Sequence, residues 1–107
     1  MECGFVGILT IDLHLPEGSS LKGKRKEILR LKSGLARRFA CSVAEVDHHE
    51  LWQRARLTIA LVGRVASETE DRLVEASRFL HTDAVVQVVG ESHEIVAVEG
   101  DRAGSWS

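Results

Sequence analysis

A chain of 107 residues, 44% hydrophobic and 28% charged, is long enough to bury one self-supporting core and fits a single globular domain. Its net charge is only −2, its apolar runs are too short to cross a bilayer, and Met1-Glu2-Cys3-Gly4 lacks the basic-then-apolar order of a signal peptide. Cys3 and Cys41 match no zinc or redox spacing, so both are expected as reduced thiols in a cytoplasmic protein with no membrane association and no cofactor.

The first element is "FVGILTIDLHL", residues 5–15. Phe5, Gly7, Leu9, Ile11, Leu13 and Leu15 alternate with Val6, Ile8, Thr10, Asp12 and His14. That period of two predicts a strand with one fully apolar face. "PEGSS" then breaks the pattern with Pro16 and Gly18.

A helix is predicted from about Ser20, a plausible N-cap, to Phe39. At helical spacing Leu21, Ile28, Leu31, Leu35 and Phe39 fall on one side, and Lys22, Lys26, Arg30 and Arg37 fall opposite. Gly23 and Gly34 weaken it by about 1 kcal/mol each relative to Ala. Between Ser20 and Phe39 stand eight basic residues (Lys22, Lys24, Arg25, Lys26, Arg30, Lys32, Arg37 and Arg38) against Glu27 alone. The segment thus carries +7, and the remainder of the chain −9. A molecule this dipolar invites an anionic partner.

"CSVAEVD", residues 41–47, reads as a second strand and "LWQRARLTIALVG", residues 51–63, as a third, with "HHE" as the turn between them. Ala55, Leu57, Ile59 and Leu61 form the core face of the third strand. Trp52, Arg54, Arg56, Thr58, Ala60 and Val62 form its other face. "SETE", Ser67 to Glu70, has the form of a capping box for a second helix over 67–81, with Leu73, Ala76 and Leu80 inward. "AVVQVV", residues 84–89, predicts a fourth strand, "GESHE" a bulge or short turn, and "IVAV" a return to extended chain. Residues 1–99 are expected as one domain and 100–107 as a flexible tail.

The element order β-α-β-β-α-β is that of the ferredoxin-like α+β fold. Two right-handed crossovers then place both helices on one face of an antiparallel sheet of order 4-1-3-2. The other face is left open.

The polar stretch "VAEVDHHELWQRA" is the natural place to look for chemistry. His48 and His49 are adjacent, so on a strand they point to opposite faces and do not share a metal ion. No GxSxG is present, and neither cysteine has an evident His partner. Acylphosphatases of this fold need a catalytic Asn, and copper chaperones need a CxxC loop; the chain has neither. No catalytic or metal residues are assigned, and an enzyme is not expected.

Two blocks carry a family resemblance. "SLKGKRKEI" at 20–28 and "SVAEVDHHELWQRA" at 42–55 resemble the signature blocks of the YlxP-like family, small bacterial domains of unknown function. Gly23 stands where that family usually has an acidic residue, and His49 where Gln is common. The resemblance implies a ferredoxin-like fold and names no activity. Members are often encoded near genes for transcription and translation factors, which favours RNA or a ribosomal subunit as partner by association only.

The leading expectation is therefore an RNA- or ribosome-associated binding module. Its candidate nucleic-acid contacts are Lys22, Lys24, Arg25, Lys26, Arg30 and Arg37 on the helix and Arg54 and Arg56 on the third strand. Trp52 and His48 are candidate partner contacts. The alternative is a homodimeric interaction domain that uses the open sheet face, with Val6, Ile8, Ala60 and Val62.

Overall fold

The computed structural model describes residues 2–16 and 20–99. Its elements run β1 (Glu2–His14), α1 (Leu21–Phe39), β2 (Ser42–Asp47), β3 (Arg54–Gly63), α2 (Ala66–His81) and β4 (Gln87–Glu99). The four strands form one antiparallel sheet in the order β2-β3-β1-β4. This is the expected order read from the other edge. The expected tail at 100–107 lies outside the described residues. No helix among the described residues is long and apolar enough to cross a membrane.

Alternation explains which sheet face is covered. Leu9, Ile11 and Leu13 of β1 stand opposite Ile59, Leu57 and Ala55 of β3, and all six are buried. Leu15 and Leu61 extend this layer, and Ile28, Leu31 and Leu35 of α1 close over it beside Leu73, Ala76 and Leu80 of α2. Both helices therefore share one face. Each fully buried leucine or isoleucine contributes about 1.5–3 kcal/mol. Leu21 departs from the expected apolar stripe: at the helix start it is 37% exposed.

The two helices meet at an edge-to-face pair, Phe39 and Phe79, with ring centroids 6.0 Å apart. Gly34 is why this fits. A Cβ at position 34 would lie 2.8 Å from Phe79 Cζ, so the helix accepts a poor helix former to admit the ring. Gly63 has a similar role at the end of β3, where a Cβ would lie 2.1 Å from Thr69 Oγ1.

Three sequence expectations need correction. The capping box does not form: α2 starts at Ala66, its N-cap is Val65 without a side-chain bond, and Ser67 is already helical. The Thr69 hydroxyl instead donates to Val65 O at 2.8 Å. The third strand begins at Arg54, because Leu51 closes a turn onto His48 O at 3.0 Å and Trp52 and Gln53 continue that turn. The fourth strand starts three residues late, at Gln87, and runs to Glu99 without a turn at "GESHE". Asp83 holds residues 84–86 out of it, accepting the N–H groups of Val85 and Val86 at 3.0 Å each. The pairing of β4 with β1 shifts register at both ends, between Glu2 and Phe5 and between Asp12 and Leu13, and the second shift leaves Val89 as the extra residue.

Asp83 also ties α1 to this corner. Arg30 donates to it through both Nη atoms, at 2.7 and 2.9 Å. The guanidinium first, and the two backbone N–H groups after it, hold the Asp83 carboxyl down at about 2. A depressed carboxylate adds stability that is complete above its ordinary value and is lost as pH falls through the folded one. The gain is about 1 kcal/mol, since Arg30 is 44% exposed and solvent screens the pair. We expect Asp83→Asn to be less stable than the parent at neutral pH, with the difference closing between about pH 4 and about pH 2 in urea titrations. A difference that does not vary with pH would show that the pair contributes no charge interaction.

α1 ends at Ala40, which adopts a left-handed conformation (φ 48°, ψ 56°) and donates its N–H to Ala36 O. Glycine is the residue that suits this position, and alanine is strained there by about 1 kcal/mol. Part of the relief is lost to the greater freedom of unfolded glycine. Ala40→Gly is expected to raise the midpoint of thermal unfolding by a few degrees, and a lowered midpoint would contradict the strain.

Candidate functional site

Lys24 was expected to point at phosphates. It does not. It is 2% exposed and lies under the β2–β3 turn. Its ammonium donates to Leu51 O at 2.7 Å and to His48 O, and stands 2.8 Å from Glu45 Oε2. The Glu45 contact is an ion pair by distance only, because Oε2 is buried and has no aligned hydrogen bond. His49 O at 3.5 Å is a third carbonyl acceptor, so three ammonium protons meet three carbonyls beside the Glu45 charge in a closed socket. Its ligands come from the two blocks that resemble the YlxP-like family. The first block supplies the lysine, and the second supplies the carboxylate and carbonyls.

Local irregularities shape the socket. In β2, Glu45 pairs with Leu57 but Asp47 pairs with Arg56, so Val46 is one residue too many. This bulge keeps Glu45 under α1 while sending Asp47 to the opposite face. His48 then takes φ 66°, and its N–H donates to Asp47 Oδ1 at 2.7 Å. Its carbonyl is thereby turned toward Lys24.

The remaining basic residues divide into those the fold accounts for and those it does not. Arg30 is spent on Glu27 and Asp83. Arg38 lies over the Phe79 ring, 5.0 Å from its centroid. Arg37 and Arg38 also sit in the last turn, where the helix dipole favours cations. Lys22, Arg25 and Lys26 have no such reason. They are exposed, they have no carboxylate within 4 Å among the described residues, and they crowd the first two turns, the first of which holds no acidic residue. That end of a helix dipole disfavours positive charge. Ser20 caps it, its Oγ accepting from Gly23 N at 3.1 Å.

Arg54 and Arg56 are not brought to this site. They lie on the open sheet face, behind the sheet as seen from α1. Arg56 donates to both carboxylate oxygens of Asp12, at 2.7 and 3.2 Å, and its Nη1 is 3.5 Å from Asp47. Its hydrogen bonds hold the Asp12 carboxyl below the usual range. Arg54 Nε is buried without a partner. Trp52 is half-buried in the turn, not on the strand face. The His48 side chain is 21% exposed, and the residue acts mainly through its backbone. No three His, Cys, Asp or Glu side chains among the described residues converge as a metal would need. Both cysteines are free. Burial pushes the Cys41 thiol up, and it donates to Leu35 O at 3.4 Å.

Sequence reasoning missed a groove of about 530 Å³ between the N-terminal half of α1 and the β2–β3 turn. Ile28, Leu29 and Leu21 supply its apolar side, and Arg25 and Lys32 stand on the helix edge. Glu45, His49 and Glu50 face them from the hairpin. The signal was Leu29, which is 65% exposed and lies amid the basic residues rather than on the core stripe.

Three comparisons bear on this geometry. Residues 6–93 match the model of a family described as "Protein of unknown function (DUF503)". The chain is 27% identical over 75 residues to "Uncharacterized protein YlxP" of Bacillus subtilis (strain 168), covering 70% of this chain and 82% of that protein. A solved structure described as "Structural Genomics, protein YJCS" superposes with a TM-score of 0.54 at 10% identity. It covers 83% of this chain and 96% of the other, and speaks for the fold alone.

Proposed function

We propose, for a chain that belongs to the DUF503 family of proteins of unknown function, that it is an RNA-associated binding module gripping phosphates with the N-terminal half of α1. One observation carries this reading. Lys22, Arg25 and Lys26 are exposed in the first two turns of α1, with no carboxylate within 4 Å among the described residues, toward the end of the helix dipole that disfavours cations. The fold gains no stability from that placement. Phosphate contacts of this kind give affinity without sequence readout, and RNA in a ribosomal subunit is the polyanion to test first. The reading is of a cytoplasmic binding protein, not of an enzyme.

The test is direct. The purified protein should shift the anisotropy of labelled RNA at low salt and cosediment with ribosomal subunits, and both signals should weaken steeply as salt rises. A parent protein that binds no RNA at low salt would end the proposal.

A second reading has its own observation. At one end of the open sheet face Val62 is 67% and Val96 40% exposed, beside half-buried Val6, Ile8 and Ala60. Such an apolar patch suits a second copy of the chain. A dimeric mass in solution that falls to monomer with Val62→Lys would favour this reading; a monomeric parent would remove it.

A further inference from the structure

The groove beside Lys24 has features that the phosphate-binding reading leaves unused. Its apolar side is open to solvent, with Leu29 65% exposed. Arg25 and Lys32 stand on the helix edge two turns apart, with Leu29 between them. The opposite wall carries acceptors: Glu50, and the part of Glu45 not spent on Lys24. The Glu45 side chain is 17% exposed, and since its Oε2 stands against Lys24, its Oε1 is the oxygen left for the groove.

A purely acidic ligand fits the helix side and is repelled by the hairpin side. A purely cationic ligand meets the reverse. The groove suits a ligand that is anionic at one end, flat and apolar in its body, and a hydrogen-bond donor at the other. A nucleotide whose base carries an exocyclic amino group has that order of parts. A carboxylate accepts from the N4 amino group of cytosine, whereas uracil presents a carbonyl oxygen at the same ring position. Duplex RNA keeps its bases stacked and does not offer them to a side groove.

We propose that this groove receives an unstacked, amino-bearing base of single-stranded RNA. Its flanking phosphates lie on Arg25 and Lys32, its face lies on Leu29, and its amino edge is directed at Glu45 and Glu50. The inference rests on the phosphate-binding reading and adds to it a strand state and a base preference.

Anisotropy titrations with labelled 12-mers of cytidine and uridine, and with a 12-base-pair RNA duplex, test the proposal. Cytidine oligomers should bind about tenfold tighter than uridine oligomers, and both tighter than the duplex. Leu29→Gln adds no charge at an exposed site; it should weaken cytidine binding and leave duplex binding alone, while Leu29→Met keeps the parent's preference. Glu50→Gln should narrow the gap between cytidine and uridine. Equal affinity for the two oligomers overturns the base pocket but leaves phosphate binding standing. Failure of every RNA to bind overturns both. If Leu29→Gln leaves RNA binding intact but abolishes capture of a protein partner, the groove docks a protein and this inference is wrong.

Discussion

Lys24→Ala should destabilise the fold by about 3 kcal/mol, lowering the thermal midpoint by about 15 °C. The change strands Glu45 without its counter-ion, takes the donor from His48 O and Leu51 O, and empties the space of a long side chain that is 2% exposed. Lys24→Met separates these causes. It restores most of the volume but leaves Leu51 O without its donor and Glu45 without its counter-ion, so it should remain about 2 kcal/mol below the parent. Pairing it with Glu45→Gln should recover part of the loss, because the uncompensated carboxylate is then gone. Urea unfolding of the four proteins measures this. A Lys24→Met variant within 0.5 kcal/mol of the parent would show that the socket is filled but not held.

The second large effect is on binding. The triple variant Lys22→Gln, Arg25→Gln, Lys26→Gln removes three exposed cations, none of them paired with a carboxylate among the described residues. At about 1 kcal/mol for each lost charge-assisted contact, RNA affinity should fall roughly a hundredfold. The plot of log affinity against log salt should flatten by about two, at about 0.7 per single-strand phosphate. Stability should hold or rise slightly, since the change relieves repulsion at i,i+4 between Lys22 and Lys26 and an adverse dipole. Arg30→Gln is the contrast. It should lose stability through Asp83 and little affinity. Equal RNA affinity in the triple variant and the parent would leave the basic turns as solvated surface.

The fold was legible because its signals are periodic. β1 and β3 alternate cleanly, and their partners follow from connection rules. What failed was local. "SETE" has the letters of a capping box, but Gly63 must pack against Thr69 and the helix begins earlier, at Ala66. "AVV" has strand composition, but Asp83 captures its N–H groups.

The candidate site was legible only as a charge excess. Counting charges does not reveal that Lys24 turns inward, since its position beside the core stripe is also compatible with a solvated lysine reaching out. Its fate depends on Glu45 and on turn carbonyls 24 and 27 positions away, which no local pattern encodes. The same holds for Arg30, whose partner Asp83 is 53 positions distant. The groove was hidden because an exposed leucine reads as unremarkable until the opposite wall is known.

The extra residue at Val46 decides by parity which face the rest of its segment takes. Side chains on a regular strand alternate with a period of two, so one further residue exchanges the two faces for all that follows unless a bulge absorbs it. Were Val46 drawn into a regular ladder, Asp47 would fall opposite Ala55 and turn in under α1 beside Glu45, two carboxylates would face one ammonium, and Arg56 would lose its second acid. Hairpin connections usually absorb changes of length easily. Here that tolerance begins only past Leu51, the last residue to deliver its carbonyl to Lys24.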